Sequence, residues 1–162
     1  MCLVAKACDL DLITTVQFDT LSSPRVFNTH LPLSLLPETV KTSGCRVIYI
    51  AHHPADTFVS LWHLHKNKFG TEISIQEAFD EFCNGLVPEG PYFEHVLEFW
   101  EARDRVLFVT YEDLKANPEE NVRRIAEFLG CKTMVEKVVE ECSFETLRNT
   151  SKERGEGSLE WD

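Results

Sequence analysis

At 162 residues, with 43% hydrophobic and 27% charged residues, the chain has the composition of a globular protein with a sizeable core. Its formal net charge of −11 argues against a nucleic-acid partner, so any bound anion depends on a local cluster of donors. No apolar run is long enough for a membrane span, and the 6 cysteines lack CxxC spacing, so we expect reduced thiols in a cytoplasmic protein. We expect one domain over residues 1–162, with an unassigned leader at 1–19 and a loose tail at 149–162.

The first predicted elements are a short strand at Arg25–Asn28 and about two turns of helix over Leu33–Val40. Between them, at the end of the strand, lies the sequence Thr-His-Leu-Pro at residues 29–32. Open α/β sheets present their functional residues at such strand ends. Arg46–Ala51 carries a continuous apolar run, which predicts a strand buried on both faces.

A helix is predicted to follow this strand directly. Pro54 suits the first turn of a helix, since proline lacks the N–H that would be unpaired there. Core-facing positions then recur at helical spacing: Phe58, Leu61, Trp62 and His65. A strand that leads into a helix directs backbone N–H groups and a partial positive charge at an anion, typically phosphate, and Ser60 could add a hydroxyl. The alternative is an ordinary βα unit that binds nothing.

In the second half of the chain, the sequence pattern predicts further helices before and after a second apolar strand. Ser74 and Glu77 have the spacing of a capping box, and the helix that they open is expected to end near Gly85. Its predicted buried residues are Ile75, Ala78, Phe79 and Phe82. The next helix is predicted to bury Phe93, Val96, Leu97 and Trp100. The second strand spans Arg105–Thr110, and Tyr111 lies at its end.

Two more helices complete the predicted fold. One begins at Asn117 and Pro118, buries Val122, Ile125, Ala126 and Leu129, and ends at Gly130; the other spans Met134–Glu141. Strands that alternate with capped helices indicate an α/β fold with a mainly parallel sheet.

Several blocks together resemble one known family. They are THLP, the strand-to-helix segment HPADTFVSLWH, and TYEDLKANP, AEFLG and CSFETL, in that order. Across residues 20–148 the chain resembles the cytosolic sulfotransferases, and is similar in particular to the plant enzymes that act on flavonoids and steroids. The resemblance implies a three-layer architecture like that of the P-loop NTPases, lacking the first βα unit. It also implies transfer of a sulfuryl group from PAPS (3′-phosphoadenosine 5′-phosphosulfate) to a hydroxyl of a small-molecule acceptor.

The resemblance implies a role for each matching residue. His30 falls on the catalytic base, which takes a proton from the acceptor hydroxyl, as an imidazole can near neutral pH. Ser60 falls on a serine that grips the 3′-phosphate of the donor together with an arginine. Where the family has a turn similar to Arg-Asp-Pro, this chain has His52-His53-Pro54. His52 cannot present the planar fork of an arginine, so we expect a weakened phosphate site.

The remaining cofactor-binding candidates match the adenine site and the C-terminal segment of the family. Tyr111 corresponds to a tyrosine that contacts adenine, and Phe144 to an aromatic residue that stacks on it. Each has an alternative role in packing alone. Arg154 is the candidate from a C-terminal segment similar to Arg-Lys-Gly-x-x-Gly-x-Trp, which contacts the 3′-phosphate.

One departure concerns the donor loop. The family opens with a strand and a loop similar to Tyr-Pro-Lys-x-Gly-Thr-Thr-Trp, which holds the 5′-phosphosulfate, and nothing between Met1 and Thr29 matches it. We therefore expect that the chain starts after this loop and that Thr14–Phe18 supplies a replacement strand for the exposed sheet edge. The alternative function is a catalytically inactive remnant with weak or no nucleotide binding.

Two other site hypotheses are weaker. The histidines at 52, 53, 63 and 65 lack a recognised ligand spacing, which favours packed or solvated side chains over a metal site. Glu112 and Asp113 could form a carboxylate pair for acid–base chemistry, but they are explained more simply as polar loop residues before Asn117. We therefore expect a small-molecule acceptor as partner, with no metal, nucleic acid or membrane.

Overall fold

The computed structural model describes residues 2–5, 26–42, 44–70, 72–87, 90–132 and 134–153. The chain divides into two compact units, residues 1–112 and 113–162. The first unit contains the sheet, and the described part of the second unit is helical. That the whole chain forms one domain stays a prediction. No helix among the described residues is long and apolar enough to cross a membrane.

Four parallel strands form the sheet of the first unit, in the order β2-β1-β3-β4. They are β1 (Cys2–Ala5), β2 (Val26–Phe27), β3 (Arg46–Ala51) and β4 (Val106–Thr110). Strand β3 pairs with β4 in a register that runs from Val47 opposite Val106 to Ala51 opposite Thr110. The predicted α/β class with a parallel sheet is confirmed. Because the strands are parallel, their carboxyl ends lie at the same edge of the sheet.

The strand between β2 and β3 differs from the expectation. The sequence predicts no regular element over residues 1–19 other than a replacement strand at Thr14–Phe18, but β1 is formed by Cys2–Ala5. Thr14–Phe18 lies outside the described residues. The short Cys2–Ala5 run was missed because four residues are too few to show a period.

The helices of the first unit follow the predicted order. A 3₁₀ turn at Leu33–Leu35 precedes α1 (Glu38–Thr42), α2 (Pro54–Phe69), α3 (Ile75–Cys83) and α4 (Tyr92–Glu101). The single helix predicted over Leu33–Val40 is in fact two pieces, because Pro37 forces Leu36 into an extended conformation with φ −63° and ψ 141°. The predicted capping box is confirmed: Ser74 and Glu77 each accept a hydrogen bond from the other's backbone N–H.

The core of the first unit lies between β3 and α4. Tyr49, on β3, stacks on Phe99, with ring centroids 4.1 Å apart, and Phe99 is fully buried at 0% exposure. The predicted buried face of α4 is therefore wrong for Phe93, Leu97 and Trp100, which are 47–56% exposed. Val96, from the same predicted set, packs against the core. Similarly, α3 buries Phe82 but leaves Ile75 and Phe79 about half exposed.

The second unit is formed by helices that follow β4. They are α5 (Tyr111–Ala116), which begins in the first unit, α6 (Pro118–Leu129), α7 (Val135–Glu141) and α8 (Phe144–Glu153). Helix α6 starts at the predicted proline and ends at Gly130, whose φ of 67° is left-handed, as a glycine C-cap requires. Of its predicted core residues, Ala126 is buried, and so is the unpredicted Asn121. Helix α8 runs into the segment that was expected to be loose.

Candidate functional site

Each of three strands of the sheet is followed by one of the predicted site residues. His52 comes directly after β3, Tyr111 directly after β4, and His30 shortly after β2. Thr29, which is buried, accepts a hydrogen bond at its Oγ1 from the backbone N–H of Leu31 and so fixes the turn around His30. Since these strands are parallel, the residues lie at one edge of the sheet, where α/β proteins bind ligands.

His52 and Tyr111 are in direct contact. Their rings stack with centroids 4.5 Å apart and an angle of 20° between the planes. The His52 side chain is half-buried, and Tyr111 is 40% exposed. Adjacent strands therefore end in a pair of stacked rings, of which that of Tyr111 belongs to an exposed residue.

Helix α4 connects the strand end at His30 with the strand end at His52. The Tyr92 hydroxyl donates a hydrogen bond to the backbone carbonyl of His52, and Nε2 of His95 lies 2.9 Å from the backbone carbonyl oxygen of His30. Tyr92 and His95 are three residues apart, so they are neighbours on one face of the helix. One helix face thus holds the main chains of two predicted site residues.

His95 is itself held in place by Tyr49 of β3. The Tyr49 hydroxyl is 3.0 Å from Nδ1 of His95, so both nitrogens of this imidazole have partners. Burial, followed by the proximity of Tyr92, raises the pKa of Tyr49 far above that of an ordinary tyrosine. Tyr49 is therefore a neutral phenol throughout the working range of pH.

The start of α2 is held by side chains from two sources. Nδ1 of His53 accepts a hydrogen bond from the Ala55 backbone N–H at 3.3 Å, and Oε1 of Glu112 accepts one from the His53 backbone N–H at 2.8 Å. Burial alone would raise the pKa of Glu112, but backbone N–H groups and the imidazoles of His52 and His53 outweigh it and lower that pKa. The Glu112 carboxylate thus accepts a hydrogen bond from one of the backbone N–H groups at this strand-to-helix turn, where an anion was expected to bind.

The remaining predicted site residues are Ser60, Phe144 and Arg154. Ser60 is exposed in the second turn of α2, within the same βα unit as His52. Phe144 is the first residue of α8, in the second unit. Arg154 lies outside the described residues. The binding roles of Ser60, Phe144 and Arg154 stay predictions.

Two further features bear on what the site can hold. Within the described ranges, no group of three or more His, Cys, Asp or Glu side chains is arranged to hold a metal ion. A cavity of about 90 Å³ lies between α2 and α3 and is lined mostly by apolar residues, among them Phe58, Trp62 and Phe82. It is much smaller than the roughly 300–1,000 Å³ of pockets for drug-sized ligands.

Several residues around the site were not identified from the sequence. Tyr92 and His95 were missed because polar residues do not contribute to an apolar repeat, although their spacing with the buried Phe99 is helical. The hydrogen bond of Glu112 to His53 joins residues 59 positions apart and leaves no local signal. The prediction that Glu112 lies in a loop is wrong, because this residue is part of α5.

A family model for the sulfotransferase domain matches residues 9–158 of the chain. Cytosolic sulfotransferase 17 of Arabidopsis thaliana is 45% identical over 150 residues, an alignment that covers 83% of this chain and 43% of that protein. Cytosolic sulfotransferase 12 of the same plant is 45% identical over 143 residues, covering 82% of this chain and 44% of the relative. The chain thus spans less than half the length of these relatives.

Solved structures show the same likeness. Mouse sulfotransferase SULT7A1 complexed with PAP superposes with a TM-score of 0.80 at 28% identity, covering 91% of this chain and 56% of that one. A putative steroid sulphotransferase of Arabidopsis thaliana gives 0.70 at 43% identity, covering 85% and 50%. Retinol dehydratase in complex with androsterone and inactive cofactor PAP gives 0.72 at 31% identity, covering 84% and 42%. On the family model and these likenesses, the chain belongs to the sulfotransferase family.

Proposed function

We propose that this chain carries the acceptor-activating and nucleotide-binding part of a sulfotransferase that uses PAPS as donor and a hydroxyl of a small molecule as acceptor. The observation that carries the proposal is the shared sheet edge, where His30, His52 and Tyr111 each follow a parallel strand. Family membership and the PAP named with two similar structures support the choice of donor.

The nucleotide would be held by residues of the two βα junctions. The exposed hydroxyl of Ser60 can donate to a phosphate, and the start of α2 offers it a favourable dipole. The accessible ring of Tyr111 suits contact with an adenine, and we assign Phe144 and Arg154 secondary roles toward the base and the phosphate. PAPS supplies the sulfuryl group when bound.

His30 would act as the general base. An imidazole with an ordinary pKa near 6.5 has a large neutral fraction at neutral pH and can hold the proton released by the acceptor hydroxyl. The turn fixed by Thr29 and the hydrogen bond from α4 to the His30 carbonyl limit the movement of this residue. Both features favour a base with a defined position.

We place the acceptor among flavonoids, steroids and related hydroxyl compounds. Support comes from the similar proteins: one is named a putative steroid sulphotransferase, and another was solved with androsterone. The relatives are named cytosolic sulfotransferases, which supports a cytoplasmic location for this chain as well.

A second candidate is a sulfotransferase-like protein that binds nucleotide weakly or not at all and transfers nothing. It is favoured by His52, which stands where the family has an arginine and cannot present a guanidinium fork to a phosphate.

Sulfuryl transfer can be measured directly with sulfur-labelled PAPS and a panel of flavonols and steroids. The proposal predicts product with the parent chain, none above background with His30→Ala, and parent-like product with His63→Ala, an imidazole deletion further along α2. Equal activity of the parent and His30→Ala would show that His30 is not the base. Absence of product from the folded parent, together with weak or no binding of PAP, would favour the second candidate.

A further inference from the structure

His95 uses both ring nitrogens to connect the sheet core with the main chain of His30. Its Nδ1 lies 3.0 Å from the hydroxyl of Tyr49, and its Nε2 lies 2.9 Å from the carbonyl oxygen of His30. The imidazole is half-buried and packs beside Phe99, with ring centroids 5.5 Å apart. An imidazole bonded at both ends is oriented far more strictly than one that only fills space.

The partners determine which nitrogen of His95 carries the proton. A carbonyl oxygen can only accept, so Nε2 must donate to His30. In the neutral ring Nδ1 is then the acceptor and receives the Tyr49 hydroxyl hydrogen. The reverse tautomer would place two lone pairs against each other at the His30 carbonyl. The relay therefore runs from the Tyr49 hydroxyl to Nδ1, and from the Nε2 hydrogen to the carbonyl of His30.

The Tyr49 end of this relay is rigid. Tyr49 is 7% exposed on β3, stacks on Phe99 at 4.1 Å and also contacts the ring of Phe108. Because burial raises the pKa of its hydroxyl, the phenol keeps the proton that it donates. A well-packed core strand thus provides a fixed reference for the loop after β2.

We propose that His95 is a positioning residue that sets the main-chain position of His30, and through it the direction in which the His30 imidazole meets an acceptor hydroxyl. This inference rests on the proposed function for the role of His30, but the relay itself is independent of catalysis. A displacement of about 1 Å at a reacting group can reduce turnover by roughly a hundredfold, so such support matters for a base on a loop.

The relay can be tested without any turnover by nitrogen-15 NMR of the histidine rings at pH 8, where an ordinary imidazole is neutral. We expect the Nε2–H tautomer for His95. His95→Leu should move the His30 ring resonances, and His95→Gln should restore them, since the glutamine amide can both donate to the carbonyl and accept from Tyr49. A Nδ1–H tautomer, or unchanged His30 resonances in His95→Leu, would overturn the proposal.

Tyr49→Phe provides a milder variant if His95→Leu does not fold, because it removes only the hydroxyl. The carbonyl of His30 still selects the Nε2–H tautomer, but the Nδ1 resonance of His95 should shift because its hydrogen bond is lost, and the His30 resonances should move in the same direction as in His95→Leu. An unshifted Nδ1 resonance of His95, or unmoved His30 signals, would contradict the relay. If the parent transfers sulfuryl groups, His95→Leu should lower kcat about tenfold with a KM for PAPS within about twofold of the parent, and His95→Gln should recover most of it. A parent without turnover would reject the proposed function, while the NMR result would still decide the relay.

Discussion

The imidazole of His52 stacks on the phenol ring of Tyr111, with centroids 4.5 Å apart, and so joins the ends of two neighbouring parallel strands. An arginine guanidinium at position 52 could stack on the Tyr111 ring as the imidazole does. The imidazole, however, lacks the permanent positive charge of arginine and its bidentate pair of donors. The arrangement therefore keeps a flat group beside Tyr111. At the phosphate site that we propose here, it would attract phosphate less strongly than an arginine would.

Replacing His52 by arginine should strengthen phosphate binding. The guanidinium can retain the stack on Tyr111 and adds a charged hydrogen-bond donor, which is worth about 1.5–3 kcal/mol or roughly ten- to hundredfold in affinity. The measurement is the Kd of adenosine 3′,5′-bisphosphate for the parent and for His52→Arg. His63→Arg adds the same charge elsewhere on α2 and should change the Kd little. Equal gains in both variants would indicate a general charge effect and contradict a phosphate site at His52.

Glu112→Gln should make the chain less stable, but only above acidic pH. The folded-state pKa of Glu112 is lowered, so its carboxylate stabilises the fold above the ordinary pKa near 4.3, and this contribution is lost as pH falls through the folded pKa. Because the group is exposed, we expect a loss of about 0.5–1 kcal/mol at pH 7. Urea unfolding at several pH values measures it.

The control for this charge removal is Glu72→Gln, at an exposed loop position of the first unit. It should leave the free energy of unfolding within about 0.5 kcal/mol of the parent at every pH. A difference between Glu112→Gln and the parent that stays constant down to pH 3 would contradict the assigned role of the carboxylate.

Phe99→Ala should destabilise the first unit strongly. Phe99 is fully buried at 0% exposure and stacks on Tyr49, so its removal leaves a cavity and should cost about 3–5 kcal/mol. Phe93→Ala, on the 56% exposed side of the same helix, should cost only about 0.5 kcal/mol. Hydrogen exchange of the β3 amides measures the stability of the first unit separately from that of the second. Similar losses for both variants would contradict the inward face assigned to α4.

Asn121→Ala should loosen the second unit. Its Nδ2 donates to the backbone carbonyls of Asp113 and Asn117 and to Oδ2 of Asp113, at 3.0–3.1 Å, while its Oδ1 accepts from Arg124 at 2.9 Å. Asn121 is 1% exposed, so the buried polar groups left behind should cost about 1–3 kcal/mol.

Two measurements check this variant. Hydrogen exchange should increase over α5 and α6, whereas the exposed substitution Asn149→Ala should leave it unchanged. The pKa of Asp113, which hydrogen bonds from Asn117 and Asn121 lower, should rise toward its ordinary value in a carboxyl NMR titration. An unchanged Asp113 titration would show that the amide of Asn121 does not bond to this carboxylate in solution.

The sequence predicted best those elements whose signals are local. The apolar run Arg46–Ala51 forms β3 with the predicted limits, and Pro54 is the first residue of α2, since a continuous apolar strand and a proline at the first helical position need no distant partner. The same holds for the capping box of Ser74 and Glu77.

What the sequence did not predict depends on long-range contacts. The inward side of α4 carries Phe99, stacked on Tyr49, and the hydrogen bonds of Tyr92 and His95 to the residues after two strands. These contacts join distant parts of the chain, so a scale of apolar residues cannot detect them. The strand Cys2–Ala5 is defined by its two neighbours in the sheet and not by its own pattern. For the site, the resemblance of the surrounding sequence blocks to the sulfotransferases was sufficient to propose His30, His52 and Tyr111, but the residues that hold them required coordinates.

Binding of adenosine 3′,5′-bisphosphate, measured by isothermal titration calorimetry, tests most directly whether this sheet edge is a nucleotide site. The account predicts saturable binding with a Kd of roughly micromolar order, weakened at least about threefold by Ser60→Ala, since a hydrogen bond to a charged phosphate is lost. No heat of binding at millimolar ligand with the folded parent would contradict it.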